Sequence, residues 1–267
     1  MTEEEFFNTN YVKGLINKYK KATTLLRPHR SKDAISTHES KFGGQPNFAG
    51  FESYPCCDRC KMPLNFVLQL YKKDFPAFYF QGDANLFQLF RCPNQDCPDA
   101  YSREYDHKMF HFFFNADPSD NKTFIKPEFS LTNAESEVPD CYLKPTVADD
   151  FPTYDDFEGN DFVLLDKKFS EDLSESFMEK YTAIQNSKFG GYPSFTQSPY
   201  YPICSCGKTK DFFFQLSSED IEDGVTFPPS PDKWSAHGIM IGDVGNMYYY
   251  ACKTCGPQTI ESYWDCC

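Results

Sequence analysis

Eight of the twelve cysteines stand in close pairs, and such pairs are the usual ligands of structural zinc. A structural zinc ion takes four thiolates in a tetrahedron, and a short spacing lets two sulfurs of one turn point at one ion. The pairs form two sets, which are Cys57, Cys60, Cys92 and Cys97 in the first part of the chain and Cys204, Cys206, Cys252 and Cys255 in the second. The spacing predicts structural zinc, in one site or two.

Other interpretations of these thiols stay open at this stage. One set could bind a metal while the other is degenerate, or all eight could be free buried thiols, because cysteine is readily buried without a ligand. Cys56 could replace Cys57 as a ligand. Cys141, Cys266 and Cys267 fall outside the pattern.

The cysteine sets belong to a longer internal repeat, which should be sought before any local pattern is interpreted. Residues 40–48 (SKFGGQPNF) match residues 187–195 (SKFGGYPSF), and residues 82–92 parallel 242–252. Each copy also has a Tyr-Pro before its first cysteine and a Gln-Leu in the apolar run that follows. The chain is therefore predicted to be a duplication, with four cysteines at corresponding places in each copy.

Short aromatic and β-branched runs between Gly, Pro and Asp clusters predict strands around these cysteines. The predicted strands are 66–71, 85–91, 109–114, 212–216, 238–242, 247–251 and 260–264. Helical spacing predicts one helix within 3–25, ended by Pro28, and a second over 170–187. The stretch 29–40 reads as loop. Each first cysteine pair precedes a strand and each second pair ends one, so a sheet could bring all four thiols to one end.

These elements predict a mainly β (α+β) fold made of two duplicated sheets, each preceded by a helix, in a pseudo-two-fold arrangement. The expected organisation is a first half over 1–114, an acidic linker or covering loop over 115–165, and a second half over 166–267. The Gly-Gly pair at 43–44 is expected to need positive φ or a close backbone approach.

Charge and composition limit the classes of partner. The net charge of −13 and the pI near 4.8 argue against nucleic-acid and anionic-membrane surfaces, which need basic patches. The first residues lack a signal-peptide pattern, and no apolar run approaches the length of a membrane span. A cytoplasmic location is therefore expected, with the nucleus possible. Cysteines in those compartments are reduced or bind metal.

Signals for catalysis are weak. The sequence has no nucleophile elbow, Walker loop, dinucleotide fingerprint or zincin helix. Polar residues inside the repeated motifs are the first candidates for a ligand or catalytic site between the halves, namely Tyr54, Tyr201, Asp83 and Asp243. The alternative for each is a turn or packing role kept by the duplication.

The repeated motifs resemble the YwqG-like family of uncharacterised proteins over about residues 35–114 and 170–266. The resemblance implies a duplicated, mainly β fold and brings no activity, and the cysteines suggest a metal-binding, eukaryotic branch. The Gly-Gly-x-Pro, Cys-x-x-Cys and Leu-Gln-Leu-Tyr sequence is also similar to the programmed-cell-death-protein-two family. That family is associated with escorting a ribosomal protein, although this chain has an acidic linker and lacks the separate zinc-finger insert of some members.

Together these observations favour a zinc-stabilised cytosolic adaptor or chaperone-like protein without enzymatic activity. It would bind another protein, a basic client, through an acidic surface, with residues 145–161 as the candidate segment. The competing hypothesis is an enzyme or small-ligand binder with a pocket between the two halves.

Overall fold

The computed structural model of the protein describes residues 1–97, 108–117, 119, 121–130, 135–159, 161–220 and 235–266. Its helices are α1 Glu3–Phe7, α2 Asn10–Tyr19, α3 Asp161–Lys168 and α4 Glu171–Lys180, with a 3-10 turn at Tyr154–Asp156. Its strands are β1 Lys21–Leu25, β2 Pro28–Arg30, β3 Lys41–Phe42, β4 Asn65–Tyr71, β5 Leu86–Arg91, β6 Met109–Phe114, β7 Cys141–Leu143, β8 Thr146–Asp150, β9 Lys188–Gly190, β10 Asp211–Ser217, β11 Asn246–Cys252 and β12 Gly256–Asp265.

The strands form two six-stranded antiparallel sheets, so the predicted mainly β fold is confirmed. The first sheet has the order β2-β7-β3-β4-β5-β6, and the second has the order β8-β1-β9-β10-β11-β12. Strands β3 to β6 of the first half thus correspond in order to β9 to β12 of the second. This arrangement matches the sequence repeat.

The two sheets pack face to face around one apolar core. Phe87 of the first sheet lies 5.7 Å from Phe214 and 6.4 Å from Tyr249 of the second, measured between ring centroids. Every residue of β4, β5 and β11 is buried, which explains their continuous aromatic and aliphatic sequences. The high aromatic content therefore fills the space between the sheets.

A two-stranded ribbon crosses from one sheet to the other. β1 pairs with β8 in the second sheet, and β2 pairs with β7 in the first. β7, from the segment between the halves, lies next to β3, and β1, from the first half, lies next to β9 of the second half. Residues 115–165, predicted to be linker and covering loop, thus contribute two strands to the sheets.

The helices differ from the prediction at their ends. The segment 3–25 is two helices and a strand, because Thr9 caps α2 by accepting a hydrogen bond from the amide of Val12, and the β-branched Thr23 and Thr24 continue as β1. The chain from residue 28 is strand β2, where a loop was predicted. The four helices pack on one another through a separate apolar cluster that includes Phe6, Phe157 and Phe177.

Two further predicted elements are shorter or missing. The helix predicted over 170–187 ends at Lys180, and the chain beyond it is not helical, since the amide of Ile184 donates to Asp150. The strand predicted over 238–242 is absent. The segment is irregular and lies between turns at 236–237 and 242–244, and Gly238 and Gly242 both have positive φ. The other predicted strands are present, with ends displaced by a few residues.

The Lys-Phe-Gly-Gly motif has the same structural role in both copies. Lys188 is completely buried and pairs with Asp150 at 2.8 Å, and a side chain at Gly191 would collide with that same carboxylate. Both glycines of the pair at 43–44 have positive φ, of +60° and +66°, as predicted, and Gly191 has a φ of +69°. In the first copy, Lys41 pairs in the same way with Asp140.

In the part of the chain that the structure describes, no helix is long and apolar enough to cross a membrane.

Candidate metal centres

The structure brings the eight cysteines of the predicted pairs together in two tetrads. The first tetrad lies at the end of the first sheet, where β4 begins and β5 ends, and consists of Cys57, Cys60, Cys92 and Cys97. The second lies at the corresponding end of the second sheet and consists of Cys204, Cys206, Cys252 and Cys255. In each tetrad the four sulfurs lie within 4.8 Å of one another.

The distances between sulfurs fit a shared metal ion better than a disulfide. The Cys57–Cys97 distance is 3.8 Å, and the Cys60–Cys92 distance is 3.4 Å. Four sulfurs bound tetrahedrally at about 2.3 Å from zinc lie about 3.8 Å apart, whereas the sulfurs of a disulfide lie about 2.05 Å apart. None of the described cysteines forms a disulfide. Each tetrad could therefore hold a metal ion.

The second tetrad has a similar sulfur–sulfur distance and a similar local fold. The sulfurs of Cys206 and Cys252 lie 3.7 Å apart. In both tetrads the first pair sits in a tight turn whose residue after the second cysteine has positive φ, +62° at Lys61 and +80° at Gly207. Both turns are closed by an isolated antiparallel bridge. The repeat thus reproduces the local backbone that aims two sulfurs at one point.

The electrostatics of the tetrads favour a cation. Burial and, to a smaller extent, the neighbouring thiols together raise the pKa of Cys97 to about 12, because four negative charges cannot gather there without a counter-charge. In the second tetrad, a hydrogen bond from the amide of Cys206 lowers the pKa of Cys204 to about 6. A divalent cation would stabilise all four thiolates at once, and its binding would release protons.

The other cysteines lie outside the tetrads. Cys57, rather than Cys56, is in the first tetrad, since Cys56 is exposed and its sulfur lies 3.5 Å from the carbonyl oxygen of Tyr54. Cys141 is buried within β7, and Cys266 follows β12. Cys267 lies outside the described residues.

The repeated glutamine, which the sequence placed in a strand, has a buried structural role. The side-chain oxygen of Gln69 accepts from the amide of Asn47 at 3.0 Å, and its nitrogen donates to the carbonyls of Thr37 and Glu39. Gln215 accepts in the same way from the amide of Ser194 at 2.9 Å. Each glutamine fixes the loop that follows the Gly-Gly pair, so the motif serves folding.

The polar candidates for a site between the halves do not come together. The hydroxyl of Tyr54 donates to the carbonyl of Leu64, and Asp83 and Asp243 lie exposed in the turns before β5 and β11. Tyr201 donates to Asp156 at 2.5 Å, and burial raises the pKa of that carboxyl. All four therefore have the turn and packing contacts of structural residues.

A polar cleft does lie between the halves, although those four residues do not line it. It has a volume of about 570 Å³, and its lining comes from both halves. Arg30 and Lys108 contribute positive charge, and Glu135 pairs with Arg91 and Lys108 at 2.9 Å each. His237 enters from the second half. Sequence reasoning missed these residues because they come from separate stretches that share no pattern.

A buried Ser-His-Asp network stands beside this cleft. His237 Nε2 lies 3.0 Å from Asp220, and its Nδ1 lies 3.0 Å from the hydroxyl of Ser235. The amide of Ile239 also donates to Nδ1, and the amide of Gly238 donates to the Ser235 hydroxyl. Two backbone amides thus donate into this network, one to the acceptor nitrogen of His237 and one to the Ser235 hydroxyl, and they hold the turn at residues 235–239 closed.

Comparison with known proteins agrees with the motifs. No curated protein matches the chain. One family model, described as a domain of unknown function (DUF1963), matches residues 40–254, which span both tetrads except Cys255. The YwqG-like resemblance is consistent with this match, because that family is known as DUF1963. The chain therefore belongs to the DUF1963 family.

Proposed function

We propose that the protein is a zinc-stabilised binding protein without enzymatic activity, working in a reducing compartment such as the cytosol. The observation that carries this proposal is the pair of four-thiol tetrads at corresponding ends of the two sheets. Four protein ligands fill the coordination of zinc, whereas catalytic zinc keeps a position for water or substrate. Each ion would tie the start of one strand to the end of its neighbour.

Zinc fits the donor set better than other common ions. Soft thiolates select zinc, copper(I) or iron–sulfur clusters, and four thiolates in a tetrahedron are typical of structural zinc. Because free thiols persist in reducing compartments, the twelve cysteines suit a cytosolic or nuclear protein. The cysteine-bearing form fits a metal-binding, eukaryotic branch of the family.

Metal analysis tests the zinc proposal directly. Protein purified without chelator or nickel should contain about two zinc ions per chain, one for each tetrad. The variants Cys92→Ser and Cys252→Ser occupy corresponding positions, and each should lose one ion. Cys56→Ser, which changes an exposed thiol outside the tetrads, is the matched control and should keep both. Metal-free protein with all thiols reactive would refute the proposal.

The helices offer the strongest acidic surface for a partner. α1 packs on the ends of α4, with Phe6 against Phe169 at 4.8 Å and Phe7 against Tyr181 at 5.7 Å. The outer sides of these two helices carry exposed carboxylates, at Glu3, Glu4, Glu5, Glu171, Asp172, Glu175 and Glu179. We propose that a basic client protein binds here, because such a field attracts and orients positive charge.

The segment 145–161, which the sequence suggested as the surface for a basic client, is a weaker candidate in the structure. Lys20 pairs with Asp149 at 2.6 Å, and Lys18 pairs with Glu158 and Asp161 at 3.4 Å and 2.7 Å. Lysines of the protein itself thus compensate much of the negative charge of this segment. The helical carboxylates are the better candidates for contact with a client.

A charge-reversal experiment locates the client surface. Glu175 and Glu179 are changed together to Lys, and the change of Asp155 and Glu158 to Lys is the matched control, because both variants reverse two exposed carboxylates. Wild-type protein should recover basic proteins from a lysate in a salt-sensitive manner, and only the α4 variant should lose them. Recovery of acidic or neutral proteins alone, unaffected by salt, would contradict the proposal.

The cleft between the halves supports a second candidate, the binding of a small anion. Its positive side chains include Arg30, whose Nε donates to the carbonyl of Ala236 while the guanidinium lines the cleft. Guanidinium groups recognise carboxylates and phosphates. A thermal-shift screen of inorganic phosphate and citrate tests this idea. Stabilisation of the wild type that Arg30→Gln abolishes would support it, and equal responses of the two proteins would exclude it.

A further inference from the structure

The two tetrads differ in their access to solvent, although their sulfurs have the same arrangement. In the first, Cys57, Cys92 and Cys97 are at most 4% exposed, and Cys60 is partly buried. In the second, Cys204 and Cys252 are also buried and Cys255 is partly buried, but Cys206 is exposed. A ligand from solution can therefore approach the second group of sulfurs directly, whereas the first group is covered by protein.

The surroundings strengthen this difference. The first tetrad belongs to an apolar cluster in which Phe66 and Phe90 are buried, and the rings of Phe51, Phe110 and Phe112 pack around them. That cluster excludes water and hydrophilic chelators from the sulfurs. Its rings also hold the strands that carry the cysteines, so opening the site would disturb a packed core.

Polar and charged residues surround the second tetrad. Exposed Lys253 and Thr254 stand between the cysteines of its second pair. The ammonium of Lys208 donates to the Thr254 hydroxyl at 3.0 Å, and Lys253 pairs with Asp211 at 2.8 Å in solvent. Lysine side chains with high rotamer freedom thus lie beside this site, and their positive charge attracts anionic chelators.

We propose that the second centre exchanges its zinc with chelating ligands in solution, while the first retains its zinc as a permanent part of the fold. Exchange at a four-thiolate site begins when an incoming ligand reaches the ion and a thiolate leaves, because zinc can expand its coordination number transiently. Cys206 is the thiolate with the freest path for departure. The occupancy of the second centre would then follow the zinc available around the protein. This inference depends on the proposed zinc content.

Isotope exchange on the full chain tests the inference. Protein loaded with natural zinc is mixed with an excess of a heavy stable zinc isotope buffered by nitrilotriacetate, and native mass spectrometry follows the mass of the bound metal. One equivalent should exchange roughly tenfold or more faster than the other. A single phase covering both equivalents would overturn the inference, whereas protein with no zinc at all would instead refute the proposed function.

Matched variants assign the phases. Cys60→Ser and Cys206→Ser change corresponding cysteines, the second of each first pair. Cys206→Ser should remove the fast equivalent and keep the slow one, and Cys60→Ser should do the opposite. If a variant fails to fold, N-ethylmaleimide labelling of wild-type protein during the fast phase decides, with the modified peptides mapped. Labels on the second tetrad support the inference, and labels on the first tetrad overturn it.

Discussion

The buried pair of Lys188 and Asp150 gives the sharpest test of how the segment between the halves is held against the second half. Both side chains are completely inaccessible to solvent, and their charged atoms lie 2.8 Å apart. Burial lowers the pKa of Lys188 while the attraction of Asp150 opposes that shift. The substitution Lys188→Met keeps a side chain of similar length and removes only the charge, so Asp150 would remain as an uncompensated buried carboxylate.

The expected loss follows from the contacts that Asp150 keeps. Breaking a buried ion pair from one side costs about 3–5 kcal/mol. Asp150 also accepts from the amides of Ile184 and Tyr192, at 2.9 Å and 2.8 Å, and these two donors stabilise the remaining charge. We therefore expect Lys188→Met to lower the free energy of unfolding by about 3 kcal/mol, at the low end of that range.

The corresponding pair of the first copy is the internal control. Lys41 is also completely buried, but its partner Asp140 is 21% exposed and lies 3.0 Å away. Because water can reach Asp140, Lys41→Met should cost less, about 1–2 kcal/mol. The double variant with Lys188→Met and Asp150→Asn should recover part of the loss, because the new side-chain amide carries no charge. The two backbone amides donate to different oxygens of Asp150, so the asparagine oxygen can replace only one of these acceptors and the recovery stays partial.

Urea unfolding of zinc-loaded protein measures these differences, with circular dichroism and tryptophan fluorescence as two probes of one transition. The order of stability should be wild type, then Lys41→Met, then Lys188→Met. A Lys188→Met protein as stable as wild type, or less affected than Lys41→Met, would refute the argument from burial. An unchanged denaturant slope is required, because a change in slope would mean that the variant altered the unfolded or native ensemble.

Three further substitutions have defined expectations in the same assay. Gly191→Ala should cost at least about 2 kcal/mol, because its positive φ and the Asp150 carboxylate both exclude a side chain; a loss under half of that would contradict the packing. Gly14→Ala in exposed α2 should add about 0.5–1 kcal/mol, since nothing surrounds the new methyl group. Asp156→Asn should stabilise at pH 7, where the raised pKa means that a charge is buried at a cost, and the gain should vanish in acid as Asp156 is protonated. Tyr201 keeps its acceptor in that variant, so a gain independent of pH would contradict the assignment.

The sequence could predict the tetrads because each consists of two pairs of cysteines that are close in the chain. Close cysteine spacing fixes which two sulfurs share a turn, and the placement of pairs at strand ends brings two turns together. The repeat then gave the second tetrad from the first. The spacing could not decide whether Cys56 or Cys57 belongs to the first tetrad. That choice depends on the backbone conformation of the turn, which directs only one of two adjacent side chains toward the other sulfurs.

The crossing ribbon could not be predicted from the sequence. β8 reads Thr-Val-Ala-Asp-Asp and is largely exposed, so it lacks the apolar alternation that marks a strand with one buried face. β2 contains only Pro28, His29 and Arg30. Such edge strands are held by backbone hydrogen bonds to strands that are distant in the chain. The hydrophobic periodicity of the sequence does not indicate this long-range pairing.

The burial of Lys41 and Lys188 could also not be predicted from the sequence. A lysine is rarely buried without a partner. Here the partners, Asp140 and Asp150, come from the stretch that composition marked as a solvated linker. Only the tertiary fold places those carboxylates beside the lysines, and so the linker became part of the core.

The crossing ribbon determines when the chain can fold during synthesis. β7 lies between β2 and β3, so the first sheet stays open until the ribosome has made residues beyond the first half. β1 can pair with β8 at that stage, but its other edge must wait still longer, because its neighbour β9 follows α4. The first half therefore emerges with an unpaired strand edge and an uncovered aromatic face, which are hazards for aggregation. Nascent chains of this protein should depend on chaperones until β12 is released.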